Sequence, residues 1–256
     1  MVPVTGEQLA AVRGWFLPER PGPLVAQHVI LTGHGRCLAD RWPDPRALVV
    51  ESAGNYLLAG DPGALDPGEL RGQVTGFVDA AEPFVPLLRA AFGEVHEWPR
   101  VILTQERLPA RSPALPPGQV VRRLVPADAG ALAGLGGETG WISGTWGGPA
   151  GLAASGMGCG AFVDGRLAAV ACPFFAGWRY EDIGVATEPA HRRLGLSTAC
   201  AAAVCHDIRR RGRTPTWSTS PDNLASLRVA AKLGFTLARR DRLHLVGRPV
   251  PAPPST

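Results

Sequence analysis

The chain runs to 256 residues, 45% hydrophobic and 19% charged, which excludes a disordered or fibrous protein and leaves room for one large or two ordinary domains. Its net charge of +4 rests almost wholly on arginine, Lys232 being the sole lysine, and the basic residues are scattered without an interleaved aromatic stripe. That argues against a nucleic-acid partner and suits an anionic small molecule. The five cysteines, Cys37, Cys159, Cys172, Cys200 and Cys205, show no metal-ligand spacing, so no metal is expected and the thiols read as reduced. No apolar run reaches about 18 residues, and Met1-Val2-Pro3-Val4-Thr5 has neither a basic nor an apolar leader. A cytoplasmic protein without a membrane partner, monomer or homodimer, is expected.

In chain order, the spacing predicts a hairpin over 47–51 and 55–59, parted by Ser52-Ala53-Gly54 and ended by Asp61-Pro62-Gly63. Amphipathic stretches follow around 70–78 and 84–92, then a strand at 100–104, making a small α/β unit over 1–115. The proline-rich run 109–118 reads as a linker, because proline lacks the amide donor and fixes φ. Beyond it come a strand at 120–124, a helix start at Pro126-Ala127-Asp128-Ala129, and glycine-rich turns as far as Gly160. Segments 160–163 and 166–175 flank Asp164-Gly165, a dipeptide that tolerates positive φ, and form a hairpin. A strand at 180–187, a helix at 195–211, a strand at 214–219, a helix at 221–233 and a sheet-closing strand at 235–246 complete a domain over 119–248. The tail 249–256 is proline-rich and reads as disordered. The class is α/β (α+β), a mixed central sheet with flanking helices behind a smaller N-terminal α/β unit.

The turn Arg192-Arg193-Leu194-Gly195-Leu196-Ser197 stands between a strand and a helix. The first turn of a helix has unpaired amide hydrogens and the positive end of the dipole, so a pyrophosphate laid across it gains charge-assisted hydrogen bonds. Gly195 lets phosphate approach the backbone, and Arg192 and Arg193 supply countercharge. About thirty residues on, Ser220 reads as an N-cap, Pro221 as the first helical residue, and Gly234 as the left-handed end of a helix.

The two segments together, Ile183-Gly184-Val185-Ala186-Thr187 through Ser197 and Asn223 through Ala231-Lys232-Leu233-Gly234-Phe235, resemble the acetyl-CoA motifs of the GCN5-related N-acetyltransferase superfamily. The wording is closest to a bacterial subgroup that includes zwittermicin A resistance acetyltransferases, and the likeness covers residues 120–246. The resemblance implies an acyltransferase that moves acetyl from acetyl-CoA directly to an amine acceptor on a small molecule or peptide. It implies that the backbone of Val185, Ala186 and Thr187 pairs with the pantetheine arm. Arg192, Arg193, Leu194, Gly195, Leu196, Ser197 and Thr198 would then hold the pyrophosphate, with Asn223 and Ser226 beside the pantetheine. The sequence departs from the family pattern at Ser197, where Gly or Ala is usual, and at Ala230, where a tyrosine often acts as general acid. A transferase using another acyl-CoA, or a catalytically silent CoA-binding module, are the alternative readings.

An amine must lose a proton before it attacks, so a carboxylate on the central strand is the natural base. Glu181 and Asp182 both qualify, and alternation puts them on opposite faces. Glu181 is favoured because it shares a face with Val185 and Thr187, whereas Asp182 falls where the subgroup tends to have glutamate. The run Arg209-Arg210-Arg211-Gly212-Arg213 reads as a helix end from which one arginine could reach the CoA 3′-phosphate.

Overall fold

The computed structural model describes residues 1–107 and 118–250. The expected linker and tail therefore lie, apart from Gly118, Pro249 and Val250, outside the described residues. The N-terminal third builds β1 (Val2–Val4), α1 (Gly6–Ala11), α2 (Val25–Thr32) and β2 (Arg36–Ala39), none of which the apolar pattern had marked. The expected hairpin follows as β3 (Ala47–Ser52) and β4 (Asn55–Gly60). Its turn places Ala53 at φ 50° and Gly54 at φ 73°, the double left-handed conformation that matches strand twist.

The amphipathic stretch at 70–78 divides into α3 (Pro67–Gln73), capped by Asp66 at 2.9 Å from the Glu69 amide, and β5 (Gly76–Ala80). Next come α4 (Val85–Phe92) and β6 (His96–Thr104). β6 starts earlier than expected and tolerates Pro99 because only one of its edges is paired at that position. After the undescribed segment come β7 (Gln119–Arg123), α5 (Ala129–Ala133) and α6 (Pro149–Ser155). The glycine-rich region thus hides a helix. Gly147 and Gly148, at φ 75° and 93°, turn the chain into Pro149 at its first position, and Gly156 ends it at φ 68°.

Then come β8 (Cys159–Val163) and β9 (Arg166–Ala176), the expected Asp164-Gly165 hairpin, and β10 (Tyr180–Thr187). The chain finishes with α7 (Leu196–Arg210), β11 (Thr214–Thr219), α8 (Leu224–Lys232) and β12 (Thr236–Val246). Asn223 rather than Ser220 caps α8, accepting from the Ser226 amide at 3.1 Å, and Ser220 is buried in the preceding turn.

Among the described residues all strands join one mixed sheet of 12 in the order β1-β2-β3-β4-β5-β12-β6-β11-β10-β9-β8-β7. β12 does not close an edge; it lies inside, between β5 and β6. β6 in turn sits between β12 and β11, so a strand from before the linker stands inside the C-terminal part of the sheet. α7 covers the face that carries Ile183, Ala169, Ala171 and Trp217. α5, α6 and the helical turn around Ile142 and Trp146 cover Val170, Cys172 and Ala186 on the opposite face.

α2 packs on both β3 and β9 and carries the buried His28 to a junction with the C-terminal part. His28 Nε2 lies 2.7 Å from the Thr145 carbonyl, and Nδ1 accepts the Ala176 amide at 3.0 Å. Only the neutral ring with its proton on Nε2 satisfies both contacts. Burial accordingly lowers its pKa from 6.5 to about 4. Above pH 6.5 the imidazole is neutral in both folded and unfolded chains; between 6.5 and about 4 only the unfolded chain takes up the proton. Stability therefore falls as pH falls through that window, by roughly 3 kcal/mol across it. Urea unfolding of the wild type is expected to show this loss, and His28→Gln, which keeps a donor and an acceptor without titrating, to show a clearly smaller one. An equal loss in both proteins would remove His28 as its source.

Candidate functional site

β10 and β11 run parallel and pair only over Tyr180↔Thr214, Glu181↔Pro215 and Asp182↔Thr216. Past that point β10 stays paired to β9 as far as Thr187, while β11 stays paired to β6 as far as Thr219. The two strands therefore part, and the β11-facing edge of residues 183–187 has no ladder partner. A register shift between Asp182 and Ile183 against β9 marks the same place. Glu188 donates its amide to Ala168 at 2.9 Å, towards β9. Alternation then turns the amides of Val185 and Thr187 towards the open edge.

At the end of that edge the chain enters the turn before α7. Arg193 and Gly195 both take left-handed backbone, at φ 68° and 80°, and Arg192, Arg193, Leu194 and Gly195 are all exposed. A Cβ on Gly195 would meet nothing within 4 Å, so the space above the helix start is open. The Thr187 and Ser197 hydroxyls lie 2.7 Å apart and join the strand end to the first helical turn, beside the buried Leu196 and Thr198. The first amides of α7 lack intrahelical partners, as at any helix start, and a helix start is a place where phosphate can be held.

The two arginines differ. Arg192 is ion-paired to Glu138 at 2.6 Å, and Glu188 accepts from Gly136 N at 3.0 Å and from Thr139 Oγ1, so the loop ahead of Gly140 is tied to the turn. Arg193, by contrast, has no ion pair among the described residues. The basic run at the other end of α7 is elsewhere: over 15 residues the helix carries it roughly 20 Å away. There Arg209 bonds Gln105, and Arg211 and Arg213 hold Glu181.

The two carboxylates on β10 have separate surroundings. Glu181 has no exposed surface and is gripped by Arg211 at 2.5 Å and Arg213 at 2.7 Å. It shares the face of Ile183 and Val185, as alternation required, but that face is the one packed beneath α7. Asp182 turns to the opposite face, at the apex of the parting strands. Its Oδ1 accepts from Thr216 Oγ1 at 2.8 Å and Ser218 Oγ at 2.9 Å, while burial pushes its pKa up to about 6.

Two residues further along that face, a Cβ on Gly184 would sit 2.9 Å from Ile142 and 3.3 Å from Trp141. Trp141 is 47% exposed and stacks edgewise on Phe174 at 5.3 Å. Trp146 and Trp217 are core residues instead. A cleft of about 440 Å³ lies between α5, the β8–β9 turn and the segment Glu188 to His191 that follows β10.

Asn223 and Ser226 lie at the start of α8, where Asn223 caps the helix and Ser226 Oγ accepts from Trp217 Nε1 at 2.8 Å. Ala230 is fully buried against α7, and the chain's tyrosines, Tyr56 and Tyr180, lie in other packing clusters. All five cysteines are buried and free, and burial raises their pKa values, which removes them as nucleophiles. Among the described residues no group of His, Cys, Asp and Glu could hold a metal ion, and no helix is long and apolar enough to cross a membrane.

The GNAT acetyltransferase family profile matches residues 22–240. The chain belongs to that family. A relative from Streptomyces virginiae, named as an uncharacterized N-acetyltransferase in the mutA 5′ region, is 46% identical over 213 residues, covering 82% of this chain and 90% of the relative. Among solved structures, a GCN5-related N-acetyltransferase-like protein from Streptococcus suis superposes with a TM-score of 0.71 at 18% identity, over 95% of this chain and 100% of that one. A tandem GNAT protein from the clavulanic acid biosynthesis pathway gives a TM-score of 0.61 at 16% identity, over 95% and 96%. These two likenesses concern the fold.

In this GNAT acetyltransferase the two ion pairs of the buried Glu181 predict an effect on stability. Glu181→Gln is expected to lower stability by roughly 3 kcal/mol, because it leaves two guanidinia against a neutral amide in a buried site. Thermal or urea unfolding reads this directly, and an unchanged midpoint would mean that the two ion pairs contribute nothing net.

Proposed function

We propose that the protein transfers acetyl from acetyl-CoA directly to an amine, with Asp182 as the general base. The observation that supports this most is the parting of β10 from β11 immediately after Asp182. It leaves an unpaired edge that a pantetheine arm, with its two amides, can join as an added strand. Val185, Ala186 and Thr187 supply that edge. The turn from Arg192 through Gly195, with Leu196, Ser197 and Thr198 in the first turn of α7, supplies amides and charge for the pyrophosphate. Asn223 and Ser226, at the start of α8 just after β11, would shape the same opening, a reading supported by their bonds to each other and to Trp217. When bound, acetyl-CoA supplies an activated acetyl group. The protein's part is to hold it, to aim the Val185 amide at the carbonyl oxygen where negative charge develops, and to take a proton from the amine.

Asp182 suits the last task because a carboxylate titrating near 6 is ionised at neutral pH yet basic enough to draw a proton from a polarised ammonium. Direct transfer is favoured over an acyl-enzyme because no cysteine presents a thiolate. The likeness to zwittermicin-type resistance enzymes rests on motif wording alone, and a small, soluble amine in the cytoplasm is the corresponding acceptor class.

Two experiments test the reading. Gly195→Glu places negative charge in open space at the helix start and is expected to abolish acetyl-CoA binding in calorimetry. Gly195→Ala carries the same left-handed strain, about 1 kcal/mol, without the charge and should bind measurably. Equal affinity for wild type and Gly195→Glu would remove the phosphate assignment. Asp182→Asn should lower kcat/KM by about 10²- to 10⁴-fold with acetyl-CoA affinity near wild type. The wild-type kcat/KM should rise with pH through about 6, as the carboxyl loses its proton, and the variant should lack that limb. A limb that survives the substitution belongs to another group.

A further inference from the structure

We infer that the acceptor carries an oxyanion, a carboxylate or a phosphate, as well as its amine, and that Arg100 receives it. This deepens the transferase reading given above and rests on it for the identity of the amine end.

The face of the sheet that bears Asp182 continues across β11 through Thr216 and Ser218 to β6, where Arg100 and Ile102 face the same way. Arg100 is half-buried beside this face, and each of Arg100 and Asp182 lies in the other's field. One guanidinium nitrogen, Nη2, donates to the Ser218 carbonyl at 3.0 Å. Nε is buried with no partner, Nη1 makes no hydrogen bond among the described residues, and no carboxylate ion-pairs with the group. Burial lowers its pKa from the ordinary arginine value, as a poorly solvated cation requires.

That is an unusual state for an arginine inside a fold, because a desolvated guanidinium costs free energy unless an anion or a full set of acceptors meets it. The other arginine whose field reaches Asp182 shows the contrast. Arg239 is held by Asp241 at 2.6 Å and by the Pro21 carbonyl. The segment around Gly22 lies directly over Arg239 and Ile102 and roofs this part of the face. Asp241, the cross-strand neighbour of Arg100, is taken up by Arg239, so Arg100 is fixed at one nitrogen and its remaining donors make no hydrogen bond among the described residues.

Across the face the order is Trp141 and Phe174, then Asp182, then the Thr216 and Ser218 hydroxyls, then Arg100. A molecule lying along it would meet an aromatic wall, an acid that takes the amine, and at the far end a cation. Planar, forked donors favour carboxylate or phosphate over a single acceptor atom. A plain alkylamine would leave Arg100 as unsatisfied as before.

The test compares probes of one skeleton. Ethanolamine, β-alanine and O-phosphoethanolamine are assayed as acceptors by release of free CoA thiol, with hexylamine and 6-aminohexanoate as a longer pair. In parallel, binding of the same five compounds to the full-length protein is followed by ligand-observed NMR, with and without CoA. The expected result is that an anionic member of a set exceeds its neutral counterpart at least tenfold in kcat/KM or in affinity. That ratio should collapse towards one in Arg100→Gln and partly return in Arg100→Lys. β-Alanine leading marks a carboxylate as the natural group, and O-phosphoethanolamine leading marks a phosphate; either supports the assignment.

Neutral amines equal to or better than anionic ones overturn it, as does a preference that survives Arg100→Gln, or absence of any anion-dependent binding. The Lys variant guards against a preference lost merely because Arg100→Gln loosens the fold. If acetyl-CoA itself fails to bind or no acceptor reacts, the transferase reading fails, while the NMR arm still decides whether Arg100 binds an anionic amine.

Discussion

The site depends on how far two parallel strands pair. β10 and β11 run side by side through Asp182↔Thr216 and no further, because β11 continues along β6 and β10 along β9. Each strand is satisfied on its outer edge, so the inner edges can stay open without leaving the strands unsupported. The apex is pinned by side chains, with the Thr216 and Ser218 hydroxyls both directed at Asp182 Oδ1. Those bonds cross from β11 to β10 at the last paired residues, where a carboxylate accepts two hydroxyls instead of a backbone ladder. The same constraint buries Asp182, raises its pKa, and leaves the amides of Val185 and Thr187 without partners. Geometry, proton affinity and donor supply at the site therefore share one origin.

The open edge needs a rigid surround, and much of that comes from the N-terminal third. Removing β6 would leave β11 with no neighbour past Thr216, since its partner there is the segment Val101 to Thr104. Glu19 acts at a second point, accepting the amides of Trp178, Arg179 and Tyr180 at 2.8, 2.9 and 2.7 Å and so fixing the turn that feeds β10. Gly177 is required beneath it, because a Cβ there would lie 2.5 Å from Glu19. His28 joins the same turn region to the helical segment around Trp146. These are polar contacts from residues far apart in sequence, each with full hydrogen-bond satisfaction, which is how buried polar groups specify one arrangement rather than merely stabilise it.

Local rules made part of this legible. The Asp164-Gly165 turn, the left-handed Gly234, and the glycine beside arginines at the start of α7 are all dictated by backbone freedom within a few residues, and so is the hairpin at 47–60. What depends on distant partners was not. Alternation separated Glu181 from Asp182, but which face α7 would cover is a tertiary fact, and it is the one that carries Glu181. The same holds for β12, placed inside the sheet by β5, a strand far away in the chain. At 220–223 the competing signal was local: Ser220 and Asn223 are both good caps, and Asn223 prevailed because its carboxamide reaches the Ser226 amide while Ser220 is buried one turn earlier. The glycine-rich region before Gly160 misled because glycines that look like loop are in fact the borders of α6.

The identity of the acid is the remaining step in the chemistry. In the proposed transfer from acetyl-CoA a proton must reach the sulfur as CoA departs, and the family's phenol position is Ala230, fully buried in the core. Of the two tyrosines, Tyr56 packs with α3 and α4, whereas Tyr180 stands two residues before Asp182 on β10, in the cluster around α2. A CoA thiol, however, is acidic enough to leave as thiolate at neutral pH, so an assisting acid contributes less here than a base does at the amine, whose pKa lies several units above the working pH. On the proposed reading, catalysis is weighted towards Asp182 and towards whatever fixes the acceptor beside it. In such a site the groups that orient the acceptor have more influence on rate than those that receive the leaving group, because a misplaced amine loses both its proton acceptor and its line of attack.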